Sequence, residues 1–128
     1  MKFFRNFNYQ RVFAAAGLVF LIGCATYNPA TGRNELIFIS TASEVSMGQD
    51  IHAGLEKEFT FSADEAKNIR LRKIGRKLAQ VSDRQDYEYS FYLIDKKEFN
   101  AFTIPGGKVY MFSGLLDALD TDDEVAAV

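Results

Sequence analysis

The sequence holds one cysteine and one histidine in 128 residues. A lone Cys excludes an intrachain disulfide and a Cys-rich zinc knuckle. A lone His excludes a two-histidine metal site built from this chain alone. Charge excess of one sign is lacking too: 15 basic residues face 17 acidic ones, for a net of −2. Nucleic-acid-binding domains carry a strong positive excess, so no nucleic-acid partner is expected. There is no G-x-S-x-G elbow, P-loop or dinucleotide fingerprint. Gly106-Gly107 has no following Lys-Ser pair to open a helix, and a turn accounts for both glycines. Internal repeats and low-complexity tracts are absent. What remains is 48% apolar and 25% charged, too apolar for disorder and too mixed for a fibre.

Lys2, Arg5 and Arg11 precede an apolar run, Val12 to Ile22, of 11 residues. A stable membrane span needs roughly 18 or more, so this run reads as a secretory signal core. It ends in Leu21-Ile22-Gly23-Cys24, which resembles the lipobox of bacterial lipoproteins, in which cleavage falls before the Cys and the Cys is acylated. Residues 1–23 are therefore predicted to be a lipoprotein signal peptide and Cys24 the lipidation site, with the membrane as a partner. Residues 24–40, with turn formers in Tyr27 to Arg33, read as a lipidated tether. Three basic residues and no acids lie in residues 1–23, so the rest carries a net of −5. An acidic body on such a tether is expected to stand off anionic lipid. By the same resemblance, Ala25 in place of Asp implies the outer membrane of a bacterial cell envelope, facing the periplasm.

Thr41-Ala42-Ser43-Glu44 is a capping-box candidate, and Val45, Gly48, Ile51, His52, Leu55 and Phe59 follow at helical spacing, which predicts a helix over about 42–59. Ser62-Ala63-Asp64-Glu65 repeats the signal. Leu71, Ile74, Leu78 and Val81 then stripe a helix over about 63–82, with Arg72, Lys73, Arg76 and Lys77 on its opposite face. That basic cluster suits a phosphate or membrane patch, but a solvated face explains it more simply. Alternation over Tyr87 to Ile94 predicts a strand, and Phe99 to Ile104 and Lys108 to Phe112 read as two more. Ile104-Pro105-Gly106-Gly107 joins the latter pair as a tight turn. A helical turn over 113–119 follows. The fold class is α+β: a helical lead-in, a small antiparallel sheet, then helix again.

Thr121-Asp122-Asp123-Glu124 is a capping box, and its acids suit a helix start better than a calcium site. Val125 to Val128 then closes the chain on apolar residues without a helix stop, which predicts a helix cut short. His52 and Glu56 share a helix face at i, i+4, but with no third ligand nearby a half-buried core histidine is the simpler reading.

The block Asn100-Ala101-Phe102-Thr103-Ile104-Pro105-Gly106-Gly107 resembles the N-A-F-x-x-P-G-G signature of peptidase family M48, the HtpX-like and Oma-type zinc metallopeptidases. Ser113 to Leu116 and Asp123 to Val128 continue in step. Tyr27 to Arg33 and Ser43 to Gly48 are similar to the start of its periplasmic lipoprotein branch. In that family the last helix runs on into H-E-x-x-H, whose two His bind zinc while the Glu takes a proton from zinc-bound water. A third ligand, a Glu, comes from a later helix. None of these residues occurs in this sequence. The resemblance thus implies that residues 41–128 are the N-terminal part of a metallopeptidase domain, truncated at the start of its zincin-type active-site helix. Zinc would serve the full-length member and none would be bound by this chain, which has no catalytic or metal residues of its own. Protein or peptide substrates are implied for the full-length form. Asn100, Ala101, Phe102, Pro105, Gly106 and Gly107 are the candidate substrate-strand or scaffold residues, in which Asn100 to Ile104 or Lys108 to Phe112 would hold a substrate backbone. A non-catalytic envelope lipoprotein, acting as a binding or chaperone module, is the alternative. A structural lipoprotein unrelated to peptidases would be favoured if the Asn100 to Phe112 hairpin did not pack beside the last helix.

Overall fold

The computed structural model describes residues 25–28, 33–36, 39–86 and 88–128, so the signal-peptide and Cys24 assignments, and Tyr87, lie outside the described residues. The chain divides into two compact units, residues 1–38 and 39–128. In the first, β1 (Ala25–Asn28) pairs antiparallel with β2 (Arg33–Leu36), Ala25 opposite Leu36. The stretch read as a tether thus carries a strand pair.

The second unit begins with α1 (Thr41–Glu58) and α2 (Glu65–Gln80). The two caps lie one and two residues from those that the sequence suggests. Ser40, rather than Thr41, caps α1 by accepting from the Ser43 amide, because the Thr41 hydroxyl donates instead to Asp86 at 2.6 Å. Asp64, rather than Ser62, caps α2, since the Ser62 amide is drawn away to the Leu93 carbonyl. Next come β3 (Ser90–Ile94), β4 (Ala101–Ile104), β5 (Lys108–Phe112), α3 (Ser113–Ala118) and α4 (Asp122–Ala126). The α4 capping box is complete: the Glu124 amide donates to the Thr121 hydroxyl and the Thr121 amide to the Glu124 carboxylate.

The fold is α+β, but the sheet is mixed rather than antiparallel. Its order is β3-β5-β4, with β4 antiparallel to β5 and β3 parallel to it. The β4–β5 hairpin follows from its turn, as expected. The six residues from Asp95 to Asn100 carry the chain past the central position, and β5 then fills that gap beside β3. Nothing in local patterning distinguishes this from a meander.

Helices cover both faces, which is why alternate residues of the strands are apolar on both sides. One face sets Tyr92, Ile94, Phe102, Ile104, Tyr110 and Phe112 against Leu55 of α1, Phe59 at its C-terminal cap, and Phe61. The other sets Phe91, Leu93, Ala101 and Met111 against Leu71 and Ile74 of α2, Leu116 of α3 and Val125 of α4. The α2 stripe is therefore only half buried: Leu71 and Ile74 are in the core, whereas Leu78 is 43% and Val81 79% exposed. Ile51 likewise faces outward from α1. The Asn100 to Phe112 hairpin does pack beside α4, through Ala101, Met111 and Val125.

Candidate functional site

The turn between β4 and β5 is shaped by its glycines. Gly106 and Gly107 have φ of 78° and 76°, a region closed to most residues with a side chain. The turn is also seated on α1: a Cβ on Gly48 would overlap the Pro105 carbonyl, and one on Gly106 would lie 2.9 Å from the Val45 Cα. Helix and turn backbones touch there because neither has a side chain in the way. The Gly107 carbonyl also accepts from the Ser90 amide at 2.9 Å, tying the turn to β3.

Of the two candidate strands, β5 is central and its backbone is committed on both sides. Among the described residues no strand pairs with the outer edge of β4, whereas the β3 edge is partly covered, with the Ser62 amide on the Leu93 carbonyl and the Asp95 amide on the Thr60 carbonyl. The β4 register decides what that edge offers. The Phe112 amide donates to the Asn100 carbonyl at 2.9 Å. Hydrogen-bonded pairs alternate along an antiparallel ladder, so Phe102 and Ile104 also turn their backbones toward β5. Ala101 and Thr103 turn theirs outward.

The side chains of Ala101 and Thr103 help line an apolar cleft of about 300 Å³, completed by Ile74 and Leu78 of α2, Val109 and Met111 of β5, and Val125, Ala126 and Val128 at the last helix. An extended peptide added to β4 would therefore set every second side chain over this cleft. A larger cavity, about 560 Å³, lies against β3 and is lined by Glu65, Arg72, Arg76 and Glu88 among others. Its mixed charges offer no comparable pairing edge.

Asn100 is exposed and acts through its carbonyl; Phe102 is half-buried and stacks on Tyr110 with ring centroids 5.0 Å apart; Pro105, Gly106 and Gly107 form the seated turn. The sequence reading missed a polar pair in the α1-side core. The Tyr110 ring is fully buried, and its hydroxyl lies 2.7 Å from His52 Nδ1. Burial, with Tyr92 and Glu56 nearby, pushes the Tyr110 phenol up to about 12. It therefore keeps its proton at neutral pH and shares a hydrogen bond with Nδ1, while Nε2 lies 3.6 Å from Glu56. His52 and Tyr110 are 58 residues apart, and no local pattern links them.

The described residues do not form a zinc site. Among the described residues no three His, Cys, Asp or Glu side chains gather in metal-binding positions. His52 faces only Glu56, with its other nitrogen on Tyr110, whereas zinc takes three or four protein ligands.

Residues 65–128, from α2 to the last residue, match the family model described as Peptidase family M48. The chain is 26% identical over 130 residues to the mitochondrial metalloendopeptidase OMA1 of Schizosaccharomyces pombe, covering 97% of this chain and 39% of that protein. To the mitochondrial metalloendopeptidase OMA1 of Danio rerio it is 22% identical, covering 92% of this chain and 28% of that one. The Bos taurus counterpart is 21% identical over 80% of this chain and 22% of its own length. The chain thus spans well under half the length of these relatives.

Proposed function

The chain belongs to peptidase family M48, and from that premise we propose that it carries the N-terminal scaffold of a membrane-anchored zinc metalloendopeptidase acting on envelope proteins. The observation that carries this reading is the open edge of β4. Its outward Ala101 and Thr103 backbones lie beside the apolar cleft that the last helix helps to line. An unfolded segment would pair there as an added strand, held by main-chain hydrogen bonds and so with little regard for sequence. Seating the turn on Gly48 holds β4 at a fixed height over the cleft. Asn100, Phe102, Pro105, Gly106 and Gly107 act as scaffold, and Ala101 as a contact with substrate. The described residues do not fit zinc, so hydrolysis is assigned to the longer family members and no catalytic step to this chain. The lipobox resemblance supports an acylated Cys24 and a place at the outer membrane, facing the periplasm.

The test is a titration of the isotope-labelled chain with an unfolded casein-derived peptide, with zinc present. The Ala101 and Thr103 amide resonances should shift, and a peptide N-methylated at alternate amides should bind far less well. Equal binding of the methylated peptide refutes the strand-addition reading. Chelator-sensitive hydrolysis by the purified chain refutes the assignment of an inactive scaffold. Tight peptide binding without any peptidase in the native assembly would favour the binding or chaperone alternative.

A further inference from the structure

Charge is distributed unevenly on this molecule. The whole chain is at −2, yet α2 holds six basic residues and one acid, Glu65, in 16 positions. The structure divides those six by task. Lys67 pairs with Asp117, and Arg70 bonds Asp122 at 3.0 Å and the Leu119 carbonyl at 3.2 Å, so these two pin α3 and α4 to α2. The other four run along the helix from one exposed apolar side chain toward its C-terminal end. Ile69 is 55% exposed, and Arg72, Lys73, Arg76 and Lys77 follow it at i+3, i+4, i+7 and i+8, on the face away from the core. Arg72 is held by Glu65 at 2.6 Å; Lys73, Arg76 and Lys77 make no ion pair among the described residues.

We infer that this face of α2 rests on an anionic phospholipid surface. An exposed isoleucine at one end of a row of long cationic side chains matches the layering of a bilayer surface: the apolar side chain enters the acyl boundary while the charged heads snorkel among phosphates. The β3 edge beside this face is already partly covered, by Phe61 bridged to Ile94 and the Ser62 amide on the Leu93 carbonyl, which suits the face to a broad charged plane better than to an extended acidic peptide. Net charge argues the opposite, that the body stands off anionic lipid. The local balance decides: Glu65 offsets Arg72 and Glu88 lines the cavity beside Arg72 and Arg76, but Lys73, Arg76 and Lys77 leave the patch net positive, and charge is felt over only roughly 8–10 Å at physiological salt. The inference does not depend on acylation of Cys24.

The full chain in a Cys24→Ser background would carry an environment-sensitive fluorophore at Gln80→Cys, an exposed position on the same face, or at Met47→Cys on α1 as control. Each would be titrated with vesicles of phosphatidylcholine alone, or with about 30% phosphatidylglycerol. The Gln80 probe should enter an apolar environment only with phosphatidylglycerol, and the effect should fade in high salt. The vesicle concentration needed should rise about fivefold for Lys77→Gln and on the order of a hundredfold for Lys73→Gln/Arg76→Gln/Lys77→Gln. All are solvent-exposed changes, and circular dichroism checks that the fold is kept. The inference is overturned by an equal response in phosphatidylcholine, an equal response at Met47, no effect of the glutamines, or a response to polyglutamate and not to vesicles. Attachment through the leader is scored separately, by flotation with phosphatidylcholine vesicles.

Discussion

Two glycines on α1 should respond in opposite directions to the same substitution. Gly54 has nothing within 4 Å of where a Cβ would stand, while at Gly48 that Cβ would overlap the Pro105 carbonyl oxygen and lie 2.9 Å from its carbon. Alanine in a helix interior is favoured over glycine by about 0.8–1 kcal/mol. Gly54→Ala should gain that amount. Gly48→Ala gains the same helix term but must push the turn away, and overpacking costs about 1–3 kcal/mol. The obstacle is backbone rather than the tip of a flexible side chain, so the cost belongs near the top of that range. The net is a loss of about 1–2 kcal/mol. Urea titrations of the full chain, followed by far-ultraviolet circular dichroism, should move the two midpoints apart, and melting temperatures should differ by roughly 4–8 °C per kcal/mol. Amide shifts in the Gly48 variant should concentrate at Gly106 and along β4. If Gly48→Ala stabilises as much as Gly54→Ala, α1 is not seated on the turn and the account of how β4 is positioned fails.

The pH limits of stability follow from two kinds of group. The Tyr110 phenol is raised from 10.0 to about 12, so its contribution is full below pH 10 and lost as pH rises through 12; Tyr110→Phe should remove that alkaline step. Asp86 is held below its ordinary 3.8 by Arg84 and the Thr41 hydroxyl, and Asp117 by Lys67, so stability should fall as pH drops below about 4, less steeply in Asp86→Asn. An acid limb unchanged in that variant would remove the Arg84–Asp86–Thr41 lock from the account. Thr121→Ala breaks the capping box and should cost about 1 kcal/mol, read as faster hydrogen exchange at Val125 and Ala126 with β5 unaffected.

Most elements of the second unit are legible in the sequence because their signals are local. The α4 box needs only Thr121 and Glu124 at the right spacing, and both reciprocal bonds are present. The Pro105-Gly106-Gly107 turn needs only fixed and permissive φ, and both glycines adopt positive φ. The caps of α1 and α2 shift because distant groups compete for the hydroxyl of Thr41 and the amide of Ser62. The site is legible as residue types and not as a surface: Asn100 to Gly107 stand out as a block, but which strand offers a free edge does not.

Composition, spacing and cap chemistry set where helices and strands begin, which positions are apolar and which site classes the chain has no residues to build. Those are near-neighbour properties, decided within a few residues along the backbone. Tertiary structure alone placed β5 between β3 and β4, left β4 at the edge, seated Pro105 on Gly48 and joined His52 to Tyr110. Each of these depends on which segments meet after the chain has turned back on itself, a choice made by burying both faces of the sheet at once.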